Sequence, residues 1–290
     1  MSSGHRPRAP VTLSVPDLAA STGHLATFGY AVLPAAFDAR PLADEIDRVL
    51  ADAFADPDHQ NRGAAGNGFR YAPMMVASTP VSLSLAEQLG AVAEELLGAP
   101  VVPGRAKGTE YAAITGWHRD TELAARSIGC LTYLEPLTAR AGALWVLPGS
   151  HHAEYGSAIL AGDDRDRDLP GVPLATSPGD VSVIDERLFH SSKGGGRRRR
   201  RQWRVDFLAD DAGADAELAA YFAAQHSPDW DGGYDVERYP SYGAAWRALD
   251  ARWDARLEAL GAYEAGRIEE EAAARRRAAP PDPQSVVRAR

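Results

Sequence analysis

SIGCLTYLEPLTARAGALWVLPGS, residues 127–150, decides the fold. It holds two short apolar runs, SIGCLTYLEPL (127–137) and GALWVL (142–147), and closes on the turn signal Pro148-Gly149. Working outward, the same pattern recurs. GDVSVID (179–185) follows the turn signal Pro178-Gly179, and QWRVDFL (202–208) alternates with a period of two. From Val101 to Leu208 the chain reads as short apolar runs separated by Gly, Pro and Asp. Many short strands at this spacing predict a sandwich or barrel, and the double-sheet jelly roll is one such closure.

Helical spacing flanks the β region. Asp17 to Phe28 reads as a short helix, GYAVL (29–33) as a strand, and Asp38 caps a helix to about Phe54 with Leu42, Ile46, Val49 and Leu50 on one side. Helix spacing returns from Val81 to Leu97, where Gly98 stops it. Between them lies a Gly-, Asn- and Pro-rich loop, 56–73, carrying Phe69, Arg70 and Tyr71. After Asp210 the chain is alanine-rich and helical. Trp246, Leu249, Trp253, Leu257 and Leu260 recur at spacings of three and four, which predicts one helix face. Packing on the outside of the barrel is the plain reading of that face; a homodimer through the C-terminal helices is the sharper one. The expected organisation is a flexible arm (1–16), a β domain with N-terminal helices (17–210), a helical extension (211–277) and a disordered tail (278–290).

The whole chain sets limits. Its 290 residues with 45% hydrophobic composition are enough for a substantial core. A net charge of −9 argues against nucleic acid as the partner. The single cysteine, Cys130, allows neither an intrachain disulfide nor a cysteine-rich metal site, and its apolar neighbours predict a buried, inert thiol. MSSGHRPRAP has no apolar h-region and no apolar run approaches membrane length, so a cytoplasmic protein with a small-molecule substrate and no membrane partner is expected.

The chemistry starts at GWHRDTE (116–122). Residues two apart in a strand point to one side, so His118 and Asp120 are expected to aim inward together. An imidazole and a carboxylate make two thirds of a facial triad for ferrous iron, and His190, just after GDVSVID, supplies the third member. His152-Ala153-Glu154 has the same H-x-acid form but follows a turn in a polar stretch, and reads as a surface feature. Three protein ligands leave room for a chelating 2-oxo acid and dioxygen. The far carboxylate of a 2-oxo diacid needs a cation, which arginine provides best through a two-pronged bond. Within Arg197 to Arg201, strand parity with Trp203, Val205 and Phe207 selects Arg201, with Arg199 as runner-up and Ser192 as a second donor. The rest of the run reads as a solvated basic loop.

Taken in order, four segments resemble the phytanoyl-CoA dioxygenase-like oxygenases, a group that includes ectoine hydroxylase. They are HLATFGYAVLPAAFD (24–38), GWHRDTE, AGALWVLPGSHH (141–152), and GDVSVIDERLFHSS followed by an arginine eleven residues after His190. The resemblance covers about residues 17–208. It implies a double-stranded β-helix, or cupin-like jelly roll, with helices packed on it. It also implies Fe(II) held by His118, Asp120 and His190, 2-oxoglutarate as co-substrate held by Arg201 and Ser192, and dioxygen as oxidant. Hydroxylation of a metabolite or natural-product intermediate, with succinate and CO2 as co-products, is the implied reaction. Halogenating relatives carry a small residue where Asp120 stands, so halogenation is disfavoured. The alternatives are a metal-binding jelly-roll isomerase or ligand-binding protein without oxygenase activity, and a nucleic-acid module built on Arg197 to Arg204.

Overall fold

QWRVDFL lies inside the longest strand among the described residues, and the larger sheet is organised around it. A computed structural model describes residues 11–55, 70–112, 114–160, 169–196, 198–225 and 234–278. The described elements begin with α1 (Leu18–Phe28), β1 (Tyr30–Leu33), α2 (Arg40–Ala53), β2 (Arg70–Pro73) and α3 (Pro80–Leu97). Then come β3 (Val101–Pro103), β4 (Lys107–Tyr111), β5 (Thr115–His118), β6 (Ser127–Tyr133), β7 (Leu144–Val146), α4 (Ala153–Leu160) and β8 (Val172–Leu174). β9 (Val181–Asp185), β10 (His190–Ser192), β11 (Arg200–Ala209), α5 (Asp215–Gln225), α6 (Ala244–Arg247), α7 (Ala251–Ala259) and α8 (Ala262–Ala278) complete it. Most of the expected arm, most of loop 56–73, much of the charged loop 161–171 and nearly all of the tail lie outside the described residues.

Among the described residues two antiparallel sheets form. The larger runs β1-β9-β6-β11-β4-β2, with β3 also on β11; the smaller runs β5-β10-β7-β8. β11 is central because it is long: β6 pairs along one edge, while β4 and β3 share the other. The sheets share an apolar layer made of Tyr111, Leu131, Tyr133 and Ile184 from the larger sheet with Leu144, Val146 and Leu174 from the smaller.

The outer face of the larger sheet is covered by helices. Trp203, Val205 and Phe207 pack there with Leu42, Ile46, Val49, Leu85 and Leu89 of α2 and α3. The indole of Trp203 donates to Ser82 Oγ on α3 at 2.8 Å. Glu45 of α2 accepts from the amides of Val81 and Ser82 at 3.0 and 2.9 Å, capping the start of α3 from a neighbouring helix. Gly29 at φ +81° and Gly98 at φ +62° end α1 and α3 where the sequence places the stops.

The single helix expected at 246–260 is broken. Trp246 lies on α6 and Trp253 and Leu257 on α7, with Asp250 capping α7 through a bond from the Arg252 amide at 2.7 Å. α6 ends at Arg247 and the capping aspartate starts a new helix two residues past the Ala248 C-cap, so the spacing survives while the helix does not. Trp246, Trp253, Leu257 and Leu260 are nonetheless buried in the core of this one chain. Trp253 stacks near Phe207 with centroids 6.2 Å apart, and a Cβ on Gly90 of α3 would lie 2.4 Å from its ring. Cys130 is fully buried, and burial pushes its thiol well above the usual range. No helix among the described residues is long and apolar enough to cross a membrane.

Candidate active site

His118 and His190 are direct partners in the ladder between β5 and β10, which puts both side chains on one face of the smaller sheet. Each ring is aimed from behind. Nδ1 of His118 lies 2.8 Å from the carbonyl of Gly116, and Nδ1 of His190 lies 2.9 Å from that of Leu188. With Nδ1–H donating to a backbone carbonyl, Nε2 is left as the lone-pair donor. Asp120 does not share β5 with His118 as the strand parity predicts. The strand ends at His118, and Asp120 sits in the bend that follows, its amide donating to the Glu186 carbonyl at 2.9 Å. Its Oδ1 lies 3.6 Å from Nε2 of His118 and 3.5 Å from Nε2 of His190. Among the described residues this trio is the one group of His, Cys, Asp and Glu arranged to hold a metal ion.

Two imidazoles and one carboxylate on one side of a point are the donor set of non-haem ferrous sites with open positions. Burial and the neighbouring His190 push the His118 imidazole towards its neutral, ligating form. Burial alone would raise the Asp120 carboxyl, but Arg204 and the histidines hold it well below its usual range. His118 has its side chain 39% exposed while that of His190 is 5% exposed, so the site opens on the His118 side. His152 is exposed, stacks on His151 at 3.9 Å, and takes no part in the trio.

The arginine run resolves differently from the strand-parity expectation. Arg201 turns to the outer face, where its Nε donates to Glu135 at 2.7 Å and its Nη1 to Asp47 of α2 at 2.6 Å. Arg199 is largely exposed and pairs with Glu110, which also takes Arg70 at 3.0 Å. Arg200 is the inward residue. It is fully buried, its Nη1 donates to Ser192 Oγ at 2.8 Å and to the Gly142 carbonyl at 3.1 Å, and its guanidinium lies 4.4 Å from the centre of the Tyr111 ring. Glycines make the space: a Cβ on Gly142 would lie 2.2 Å from Nη1, and one on Gly195 2.8 Å from it. The apolar face of β11 faces α2 and α3 rather than the site, so the inward parity belongs to Arg200, Gln202, Arg204 and Asp206.

Three further residues went unnoticed in the sequence. Arg204 bonds Asp120 Oδ2 and Glu186 Oε1, each at 2.6 Å. Glu186 is fully buried; burial and nearby Asp206 push its carboxyl up to about 8. Lys107 pairs with Arg204 in the ladder, so its side chain shares the inner face, and burial pushes its amine down to about 8. The available signal was the polar half of the alternating strand, RRQWRVDF, in a chain whose amphipathic helices need the apolar half.

Comparison with known proteins adds relatives to this geometry. The chain is similar in structure to EvdMO1, with a TM-score of 0.53 and 21% identity over 67% of this chain and 50% of that one. It therefore spans half the length of EvdMO1. It is similar to SnoN, a non-haem alpha-ketoglutarate-dependent epimerase from nogalamycin biosynthesis, with a TM-score of 0.54 and 19% identity over 66% of this chain and 80% of SnoN. It is also similar to HygX from Streptomyces hygroscopicus, solved with nickel and 2-oxoglutarate bound, with a TM-score of 0.52 and 17% identity over 66% of this chain and 87% of HygX. These likenesses describe a shared fold. No curated protein matches the chain. The family model for phytanoyl-CoA dioxygenase (PhyH) matches residues 25–201, from the first helix through all three members of the trio to β11. More than half of the chain is covered in this way, and the protein belongs to the phytanoyl-CoA dioxygenase family.

Proposed function

We propose that this protein is an Fe(II)- and 2-oxoglutarate-dependent oxygenase that oxidises a small-molecule natural-product intermediate on a double-stranded β-helix core. The observation that carries the reading is one inner surface holding both halves of the site. His118, Asp120 and His190 converge on a point, and Arg200 lies buried beside Ser192 in a glycine cradle. His118, Asp120 and His190 hold the iron. Arg200, resting on the Tyr111 ring, holds the far carboxylate of 2-oxoglutarate together with Ser192; this role moves from Arg201, whose guanidinium serves Glu135 and Asp47.

When bound, the metal and co-substrate supply the oxidising power, by activating dioxygen as 2-oxoglutarate is converted to succinate and CO2. The protein's own residues orient and enclose. The Nδ1 bonds of both histidines keep Nε2 aimed at the metal position, and the buried guanidinium binds a carboxylate without competition from bulk water. Asp120 fills the place a halide would need beside the metal, and its negative charge opposes a second anion there. Hydroxylation or a related oxidation is therefore the outcome, not halogenation. Support for the substrate class comes from SnoN, an enzyme of nogalamycin biosynthesis.

The test is anaerobic titration with Fe(II) and 2-oxoglutarate, followed by a substrate screen scored by succinate release under labelled dioxygen. One labelled atom in succinate and an oxidised, unchlorinated product in excess chloride are expected. Metal binding without succinate formation would leave a metal-binding jelly roll and remove the oxygenase. A chlorinated product would overturn the role given to Asp120.

A further inference from the structure

The two oxygens of Asp120 face different partners. Oδ1 faces the two histidine Nε2 atoms, and Oδ2 accepts from Nη1 of Arg204 at 2.6 Å. The other nitrogens of the same guanidinium are also engaged: Nη2 donates to Glu186 Oε1 at 2.6 Å, and Nε pairs with Asp206. A planar guanidinium with each nitrogen on a different carboxylate has no freedom to turn. Its mounting is equally fixed, because Arg204 sits within β11 between Leu131 of β6 and Lys107 of β4. Gly129 of β6 leaves the room, since a Cβ there would lie 2.8 Å from Nη2. Glu186 also grips Asp120 by the backbone, accepting its amide at 2.9 Å.

We infer that Arg204 is a positioning residue that sets the coordination mode of Asp120, holding Oδ2 away from the metal so that the carboxylate binds through Oδ1 alone. The consequence is a count of open positions. Two imidazoles and one carboxylate oxygen occupy three of the roughly six positions of an octahedral ion. A carboxylate binding through both oxygens would take a fourth. A chelating 2-oxo acid needs two and dioxygen needs one, so only the one-atom mode leaves enough. The inference rests on reading the trio as a metal site, and its test does not require turnover.

The experiment uses Co(II) alone as probe on the full chain, comparing wild type, Arg204→Gln and Arg204→Lys. Two quantities are read: Co(II) affinity, and the crystal structure of each Co(II)-loaded protein. Arg204→Gln is expected to bind Co(II) about tenfold or more weakly, as losses of partners behind metal ligands do, with both Asp120 oxygens on the metal. Arg204→Lys keeps the charge but has one nitrogen for three carboxylates, and is expected to fall between. Arg204→Gln with wild-type affinity and Oδ1-only binding overturns the inference, as does Arg204→Lys matching wild type in both measurements, which would reduce the role to charge. Should Arg204→Gln fail to fold with Glu186 and Asp206 left buried, the variant R204M/E186Q/D206N removes those carboxylates too. Two-atom binding there supports the inference, and Oδ1-only binding at wild-type affinity overturns it. Wild-type protein that binds Co(II) at the trio yet takes up no 2-oxoglutarate would remove the oxygenase reading and leave this inference decided by the same structures.

Discussion

Nη1 of Arg200 donates to Oγ of Ser192 at 2.8 Å, joining the first residue of β11 to the last residue of the strand that carries His190. The bond ties the buried cation to the strand that carries His190, so the proposed cofactor anchor and the proposed metal ligand form one unit. Arg200→Ala is expected to weaken 2-oxoglutarate binding about 100-fold, since loss of a buried charged partner costs a few kcal/mol. Arg201→Ala should leave that affinity unchanged and cost about 1 kcal/mol of stability or less, its pairs being partly exposed. Anaerobic titration of the Fe(II)-loaded proteins measures both. A large loss in Arg201→Ala with none in Arg200→Ala would return the anchor to the outer face.

Gly142 is held at φ +87°, where a side chain is strained, and a Cβ there would collide with the Arg200 guanidinium. Gly142→Ala should therefore reduce 2-oxoglutarate affinity more than Ser192→Ala, which removes only one partner. Circular dichroism checks that the fold is kept. A folded Gly142→Ala protein with wild-type affinity would show that the cradle does not matter.

His118→Ala, Asp120→Ala and His190→Ala should each abolish Fe(II)-dependent turnover and leave the protein folded, whereas His152→Ala should change neither. The readout is Fe(II) content after reconstitution, together with thermal melting. Loss of iron in His152→Ala alone would place the metal at His152 rather than at the trio.

The ordered segments GWHRDTE and GDVSVIDERLFHSS made the trio legible, because ligand types and spacing are local properties of sequence. Which arginine of the run faces inward was not, and for a physical reason. Parity along QWRVDFL separates two faces but does not say which one meets the site. Trp203, Val205 and Phe207 read as an inward face only if the barrel interior is the main apolar layer; here α2 and α3 supply a second apolar layer outside. The polar half of RRQWRVDF marks Arg204 as inward, but its bonds to Asp120 and Glu186 span 84 and 18 residues, so their pairing is not readable from a local pattern. The C-terminal packing was legible in its residues, while the break at Asp250 turned on a single cap.

Arg105 and Glu269 form a buried ion pair, 4% and 3% exposed at the side chain, that fastens α8 to the segment between β3 and β4. Tyr71 of β2 donates to the same carboxylate at 2.6 Å. Removing one partner strands a buried charge, so Glu269→Ala should lose about 3–5 kcal/mol, measured by denaturant unfolding. A loss under about 1 kcal/mol would show that α8 contributes little through this contact.

Lys107 offers a pH-dependent test. The chain has lysines only at 107 and 193, so amine labelling read by mass spectrometry is unambiguous. Burial favours the neutral amine and brings the folded pKa down to about 8 from 10.5. The unfolded chain therefore binds more protons between those values, and the stability contributed by this group rises with pH across that window. In metal-free protein, labelling of Lys107 should reach half its maximal rate near pH 8. A half-point at 10 or above would show an ordinary, solvated amine.

The pairing order of the larger sheet also bears on how the protein is made. β11 joins β1-β9-β6 to β4-β2 and to β3, and all of these precede it in the chain. A nascent chain that has emerged only to residue 199 thus holds the larger sheet as two separate fragments, with β3 not yet paired. Every strand pairing that unites them is non-local and waits for the last strand, the kind of topology that folds slowly. Arg200 and Arg204 arrive on that strand. The trio reaches the ribosome exit about 70 residues after its first member appears, with neither arginine yet in place. Unions of strand and site therefore coincide: the step that closes the sheet is also the step that first brings the proposed anchor Arg200 to the trio.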